Sequence, residues 1–174
     1  MVLAPDFYQN RPILVTGGTG FIGRRLVATL QALGARVQVL VRPGRVIPTD
    51  WSRLKTVVSD LADAARLARA CAGMDTVIHA AGFAHADTGN TVGFADQHWA
   101  ITADGTFQLL DAAVASGVRR FGFLSSVKAV GDPGSHCVDE NWDTPPETSY
   151  GLAKRAGEER VLAVGREFGL HVVN

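Results

Sequence analysis

Three groups of residues in this chain have side-chain types and spacings suited to chemistry. Tyr150-Gly151-Leu152-Ala153-Lys154 sets a phenol and an ammonium four residues apart, which on a helix places both on one face. A phenol with a pKa near ~10 is a weak base at neutral pH, but a neighbouring cation stabilises the phenolate, so the pair could exchange a proton with a substrate. Ser125-Ser126 closes the apolar run Phe121 to Leu124, and a hydroxyl at the end of a strand could hold a substrate oxygen. The third group is Thr16-Gly17-Gly18-Thr19-Gly20-Phe21-Ile22-Gly23, readable as G-x-G-x-x-G at 18, 20 and 23 or as G-x-x-G-x-x-G at 17, 20 and 23. Glycines between a strand and a helix let bare backbone donors approach an anion, which suits the pyrophosphate of a dinucleotide.

Each group also has a plainer reading. A tyrosine and lysine at this spacing can simply face solvent, two serines after a strand can be a turn, and glycines can be an ordinary connection. The groups gain meaning only if the fold brings them together.

The elements that would do so are visible as an alternation. Apolar, β-branched runs at Ile13-Leu14-Val15, Val37 to Val41, Leu54 to Val58, Thr76-Val77-Ile78 and Phe121 to Leu124 are separated by helix-compatible stretches. Those stretches are Phe21 to Leu33, Ala62 to Ala72, Phe94 to Ser116 and Ser149 to Phe168, several closed by a glycine at 34, 73, 117 or 169. Unbroken apolar strands require cover on both faces, so the pattern predicts an α/β fold with a doubly wound parallel sheet in three layers. The loop from Gly131 to Thr148 is long enough to be functional. Leu170 to Asn174 starts a sixth strand and the sequence then stops, so the chain is expected to be a fragment.

Composition narrows the function. With 174 residues, 47% hydrophobic, the chain can bury one sizeable core. Lysine plus arginine equals aspartate plus glutamate at 17 each, so charge points neither to nucleic acid nor to an anionic membrane. Cys71 and Cys137 lie far apart and form no C-x-x-C pair, so neither a disulfide framework nor a metal site is expected. No leader or membrane-length apolar run is seen, and a cytoplasmic location is expected.

Taken in order, the glycine turn, Ser126 and Tyr150-x-x-x-Lys154 resemble the short-chain dehydrogenase/reductase superfamily. The forms T-G-G-T-G-F-I-G, His79-Ala80-Ala81-Gly82, Phe123-Leu124-Ser125-Ser126, Asp139-Glu140, Pro145-Pro146 and Tyr150-Gly151 are similar to its extended branch, the nucleotide-sugar epimerases and dehydratases. The resemblance covers residues 11 to 174 and implies a Rossmann fold. It makes residues 1–174 an NAD(P)-binding domain without the C-terminal substrate region found in that branch. It implies Tyr150 as acid/base, Lys154 lowering its pKa and bonding the nicotinamide ribose, and Ser126 orienting the reacting oxygen. Gly17, Gly20, Phe21, Ile22 and Gly23 would hold the pyrophosphate, Asp60 and Leu61 would meet the adenine, and Ala80 and Ala81 would line the cofactor channel. Asp60 could equally cap the following helix, whereas His79 reads as a strand-end packing residue rather than a ligand or base. The resemblance further implies a nucleotide-sugar substrate, and a homodimer through the helices from Phe94 and Ser149.

Three positions depart from the family pattern. Thr102 stands where asparagine is common, which puts the usual relay or helix kink there in question. Val130 stands where epimerases often carry tyrosine. The second strand ends in Arg42-Pro43-Gly44-Arg45 with no acid to grip a ribose 2′-hydroxyl, so Arg42 suits a 2′-phosphate and the cofactor is NADP or NAD. The chemistry expected is that of an epimerase, a dehydratase or an NADPH-dependent reductase of a 4-keto sugar or other carbonyl. The alternative of another class is a dinucleotide-sensing domain without catalysis.

Overall fold

The computed structural model describes residues 6–83, 93–139 and 141–174. Glu140 of the Asp139-Glu140 motif lies outside them. Six strands form one parallel sheet: β1 (Pro12–Thr16), β2 (Arg36–Val41), β3 (Lys55–Val58), β4 (Thr76–His79), β5 (Arg120–Phe123) and β6 (His171–Val173). Their spatial order is β3-β2-β1-β4-β5-β6. The chain therefore winds outward in one direction from β1 and then in the other from β4. The crevice between the carboxyl ends of β1 and β4 is where such sheets bind ligands.

The helices are α1 (Phe21–Ala32), α2 (Ala64–Cys71), α3 (Phe94–His98), α4 (Gly105–Ala115) and α5 (Ser149–Phe168). Along β1 the side chains alternate between two cores. Ile13 and Val15 pack with Val27 and Leu30 of α1, with Val37, Val39 and Val41 of β2, and with Trp51. Leu14 packs on the opposite face with Leu67 of α2, Leu109 and Leu110 of α4, Phe121 of β5 and Val161 of α5. Both faces of the central strands are thus buried, which is why their sequences read as unbroken apolar runs. One buried polar side chain among them, Gln38, is tied by its side-chain amide to the Ala70 carbonyl at 2.9 Å.

Helix ends follow local chemistry. Gly34, Gly73, Gly117 and Gly169 all take positive φ, between 66° and 80°, the left-handed exit that glycine favours. Asp63 caps α2 by accepting from the Arg66 amide, so the cap is Asp63 and not Asp60, and the helix starts at Ala64 rather than Ala62. Asp60 instead accepts from the Ala62 amide at 2.7 Å in a tight side-chain turn. The expected helix from Phe94 to Ser116 is divided. Trp99–Asp104 winds as a π-helical stretch between α3 and α4. Thr106 Oγ1 donates to the Thr102 carbonyl at 2.6 Å, so a side chain takes up part of the bonding that a regular turn would give to backbone.

At the opposite, amino edge of the sheet, Asp75 gathers three strands. Its carboxylate accepts from Arg11 at 2.8 Å, from Arg120 at 2.8 Å and from the Thr76 hydroxyl at 2.7 Å. The Phe7 ring lies under both guanidinium groups, 4.3 Å from Arg11 and 5.6 Å from Arg120. Burial alone would raise the Asp75 carboxyl, but the hydrogen bonds from Arg11, Thr76 and Arg120 and the Arg11 charge outweigh it and lower the carboxyl from 3.8 to about 2. Asp75→Asn is therefore expected to cost about 2 kcal/mol at neutral pH in urea unfolding. A lowered folded-state value means this contribution is complete above the unfolded 3.8 and is lost as pH falls towards 2. Wild type and variant should converge there, and a gap that persisted in acid would refute the assignment.

Candidate active site and dinucleotide crevice

The glycine turn is shaped by what surrounds it. Gly17 has φ +69°, and a Cβ on it would lie 2.5 Å from the Ala80 carbonyl carbon and 2.6 Å from the Ala81 nitrogen. Glycine there lets the end of β1 press against the backbone leaving β4. A Cβ on Gly18 would meet Val39 Cγ1 at 2.6 Å, so Gly18 faces the core beneath the turn. Gly23 packs against the Gly17 carbonyl. Gly20 differs, since the Gly17 oxygen at 3.2 Å is all a Cβ there would meet. Both spacings read from the sequence are therefore occupied, with Gly18 serving packing and Gly17, Gly20 and Gly23 forming the turn. Gly20 precedes α1 with extended backbone and no side-chain cap, and Phe21 and Ile22 are 97% and 60% exposed. The first amides of α1 are thus uncapped by side chains at the crevice, a fit for a pyrophosphate.

The second half of the site hangs on α5. Thr148 caps this helix by accepting from the Gly151 amide at 3.0 Å, which places Tyr150 in the first turn and Lys154 one turn on. A Cβ on Gly151 would collide with the Lys128 carbonyl, so the helix start lies directly on the short 3-10 turn Val127–Ala129. Ser126 caps that turn, its Oγ accepting from the Lys128 amide at 3.2 Å and keeping its own proton to donate. The loop before α5 closes on itself through Trp142 Nε1 to the Gly131 carbonyl at 2.9 Å, and Asp143 pairs with Arg155 of α5. Tyr150 is half-buried, with its ring edge-on to His98 at 5.6 Å, and His98 meets Phe83 at 4.9 Å.

Lys154 is buried, at 4% exposure. Its ammonium donates to the Leu124 carbonyl at 2.6 Å and lies 4.5 Å from the centre of the Phe123 ring. Burial pushes it down from 10.5 to about 8, with the Glu158 charge acting in the other direction. A Cβ on Gly82 would sit 3.6 Å from Lys154 Nζ and 3.9 Å from Thr102 Oγ1, so the segment after β4 reaches the lysine. Ala80 and Ala81 lie between the glycine turn and this point. The glycine turn, Ser126, Tyr150 and Lys154 therefore gather at the carboxyl ends of β1, β4 and β5. Asp60 and Leu61 follow β3, and Leu61 packs on Gly105. Arg42 is exposed after β2, where a turn joins the Arg45 amide to the Arg42 carbonyl at 3.1 Å.

Residues without a sequence signal of their own tie these parts together: the Thr16 and Thr106 hydroxyls, Phe83 and His98. His79, expected to do no more than pack, joins them. It is wholly buried and stacks on Phe123 at 5.6 Å, as a packing residue would. It also bonds Thr16 Oγ1 at 2.6 Å and Thr106 Oγ1 at 3.0 Å, partners 63 and 27 residues away. Among the described residues no cluster of side chains suits a metal ion, and no helix is long and apolar enough to cross a membrane.

The family model described as NAD dependent epimerase/dehydratase matches residues 13–174. The chain is 34% identical to a dTDP-glucose 4,6-dehydratase of Streptomyces niveus, across 92% of this chain and 51% of that protein. It is 32% identical to a 3-beta-hydroxysteroid dehydrogenase of Mycolicibacterium neoaurum, across 91% of this chain and 44% of that one. A UDP-glucose 4-epimerase from Brucella ovis, solved in complex with NAD, superposes with a TM-score of 0.84 at 26% identity, over 93% of this chain and 50% of the other. The chain thus spans about half the length of the curated relatives it matches.

The glycine geometry yields a contrast. Gly17→Ala is expected to cost at least about 2 kcal/mol, from positive φ and collision with the Ala80 backbone. Gly20→Ala should stay within about 1 kcal/mol, because its backbone is allowed for alanine and a Cβ there would meet one neighbour, the Gly17 carbonyl oxygen at 3.2 Å. Thermal unfolding of the two variants measures this, and equal losses would count against it.

Proposed function

The chain belongs to the NAD dependent epimerase/dehydratase family, and on that premise we propose that residues 1–174 are its dinucleotide-binding domain, with Tyr150 as the acid/base of hydride transfer at a sugar carbon. The observation carrying this reading is the buried Lys154 ammonium one helical turn from Tyr150, with Ser126 on the 3-10 turn against which α5 starts. NAD(P), when bound, supplies the hydride acceptor or donor.

The residues divide the remaining work. The Phe21 and Ile22 amides and the turn Gly17, Gly20, Gly23 take the pyrophosphate, and Ala80 and Ala81 wall the channel. Asp60 and Leu61 meet the adenine end. Ser126 donates to the substrate oxygen, and Tyr150 takes or returns its proton. Lys154 favours the phenolate through its charge and offers a donor to the ribose. No acid closes β2, so Arg42 can meet a 2′-phosphate, which supports NADP as well as NAD.

A nucleotide sugar as substrate is supported by the dehydratase and epimerase relatives. The steroid dehydrogenase relatives, and Val130 in place of an epimerase tyrosine, favour a second reading in which a ketone or secondary alcohol of another kind is reduced or oxidised. Stoichiometric consumption of NADPH with a keto-sugar nucleotide would single out a reductase. A purely sensing domain would have no use for Ser126, Tyr150 and Lys154 together. Pairing of two copies through α4 and α5 also belongs to this reading.

In the protein that carries this domain, Tyr150→Phe is expected to lower turnover by roughly 100-fold or more while dinucleotide affinity stays within about threefold. Assays with UDP-glucose, dTDP-glucose and a sterol alcohol as probes read the first, and unchanged turnover on an active probe would defeat the assignment. Lys154, held at about 8, should also give dinucleotide affinity an alkaline limb as its charge is lost. Tryptophan fluorescence titrations from about pH 7 to 9 would show it, and Lys154→Arg, charged throughout, should remove it. An affinity flat over that range in the wild type would contradict the role of the ammonium.

A further inference from the structure

The hydrogen bonds around His79 have only one consistent direction. Thr106 Oγ1 donates its single proton to the Thr102 carbonyl at 2.6 Å, so it can only accept from His79 Nε2 at 3.0 Å. His79 Nδ1 then accepts, from the Thr16 hydroxyl at 2.6 Å. Thr16 Oγ1 in turn accepts from the Ala81 amide at 3.2 Å. The chain runs Ala81 N–H, Thr16 O–H, His79, Thr106 O–H, Thr102 carbonyl. It links the end of β1, the end of β4 and the π-helical stretch.

We propose that His79 is a positioning residue of the dinucleotide crevice, a neutral imidazole protonated on Nε2 that fixes the segment Ala80 to Phe83 between the glycine turn and Lys154. The contacts at both ends of that segment explain how. On one side Ala80 abuts Gly17, with room for no Cβ between them. On the other, Gly82 lies beside Lys154 Nζ, and the Phe83 amide donates to Thr102 Oγ1 at 3.2 Å. His79 joins both sides through Thr16 and Thr106. A leucine or phenylalanine could fill the same apolar space against Phe123 but could not accept from one hydroxyl while donating to another. Groups facing the ring are Thr16 from β1, Phe121 and Phe123 from β5, Thr106 from α4 and the Lys154 ammonium from α5. Burial first, and the Lys154 charge second, push its basicity far down, to about 3, so it stays neutral while Lys154 is charged.

This inference rests on the crevice binding a dinucleotide, and its test separates the two. Thr106→Val keeps the volume and removes the hydroxyl, while Thr106→Ser keeps the hydroxyl. With NADH and NADPH as probes, Thr106→Val is expected to raise the dissociation constant roughly fivefold or more at a temperature where it remains folded, and Thr106→Ser to restore it to within about twofold. A role in packing alone would lower the unfolding midpoint of Thr106→Val without moving that constant. On the wild-type chain, nitrogen NMR of the histidines should show one ring fixed as the Nε2–H tautomer across about pH 5 to 8, lost in His79→Asn. Wild-type affinity in Thr106→Val, or an Nδ1–H or doubly protonated ring, would overturn the positioning role. A wild-type chain that bound neither dinucleotide would overturn the reading of the crevice instead.

Discussion

A buried ammonium that, among the described residues, has no carboxylate in ion-pair contact organises the carboxyl edge of this sheet. Removing a cation from water is costly unless other groups replace its hydration, and for Lys154 those groups are the Leu124 carbonyl and the face of Phe123. Both belong to β5 or its first residue beyond, so α5 must lie close to that strand. Gly157 makes this possible, since a Cβ there would sit 2.8 Å from the Phe123 ring. Gly82 approaches the ammonium on another side, where a Cβ would sit 3.6 Å from Nζ. The charge is thus held in place by groups of β5 and the residue after it.

The two edges of the sheet are built by different physics. At the amino edge, Asp75 satisfies its charge with Arg11 and Arg120, and the strands there are clamped. At the carboxyl edge the contacts are backbone against backbone, as at Gly17 and Ala80, or neutral hydroxyl to imidazole, as at Thr16 and His79. The first arrangement clamps strands through charge, and the second leaves the first amides of α1 without a side-chain cap. Division of this kind is expected where outward winding reverses direction, because neither crossover covers the crevice.

Much of this was legible beforehand, and the reason is local. β1, β2 and β4 are buried on both faces, so their apolar runs were unambiguous, and each helix exit at Gly34, Gly73, Gly117 and Gly169 needed a residue tolerant of positive φ. Tyr150 and Lys154 were readable because helix periodicity alone puts them on one face. What could not be read depends on partners distant in sequence. Nothing near Thr16 signals a bond to a histidine 63 positions on, and nothing near His79 reveals that packing and hydrogen bonding coincide there. The cap at Asp63 rather than Asp60 was a choice between two aspartates three residues apart, decided by which one reaches the Arg66 amide. The winding at Trp99–Asp104 escaped for another reason. Its residues suit an α-helix, and with threonine at 102, where the resembled family commonly has asparagine, a kink is put in question, yet the stretch winds as a π-helix.

That winding has an evolutionary consequence. A π-helical turn accommodates one residue more than an α-turn, and one residue is about 100° of rotation along a helix. The extra residue sets how the helix before it is turned relative to α4, and with it the direction in which His98 meets Tyr150. Lineages of this fold could therefore reshape the wall beside the tyrosine by gaining or losing a single codon in this stretch, with α4 and its core contacts left where they are.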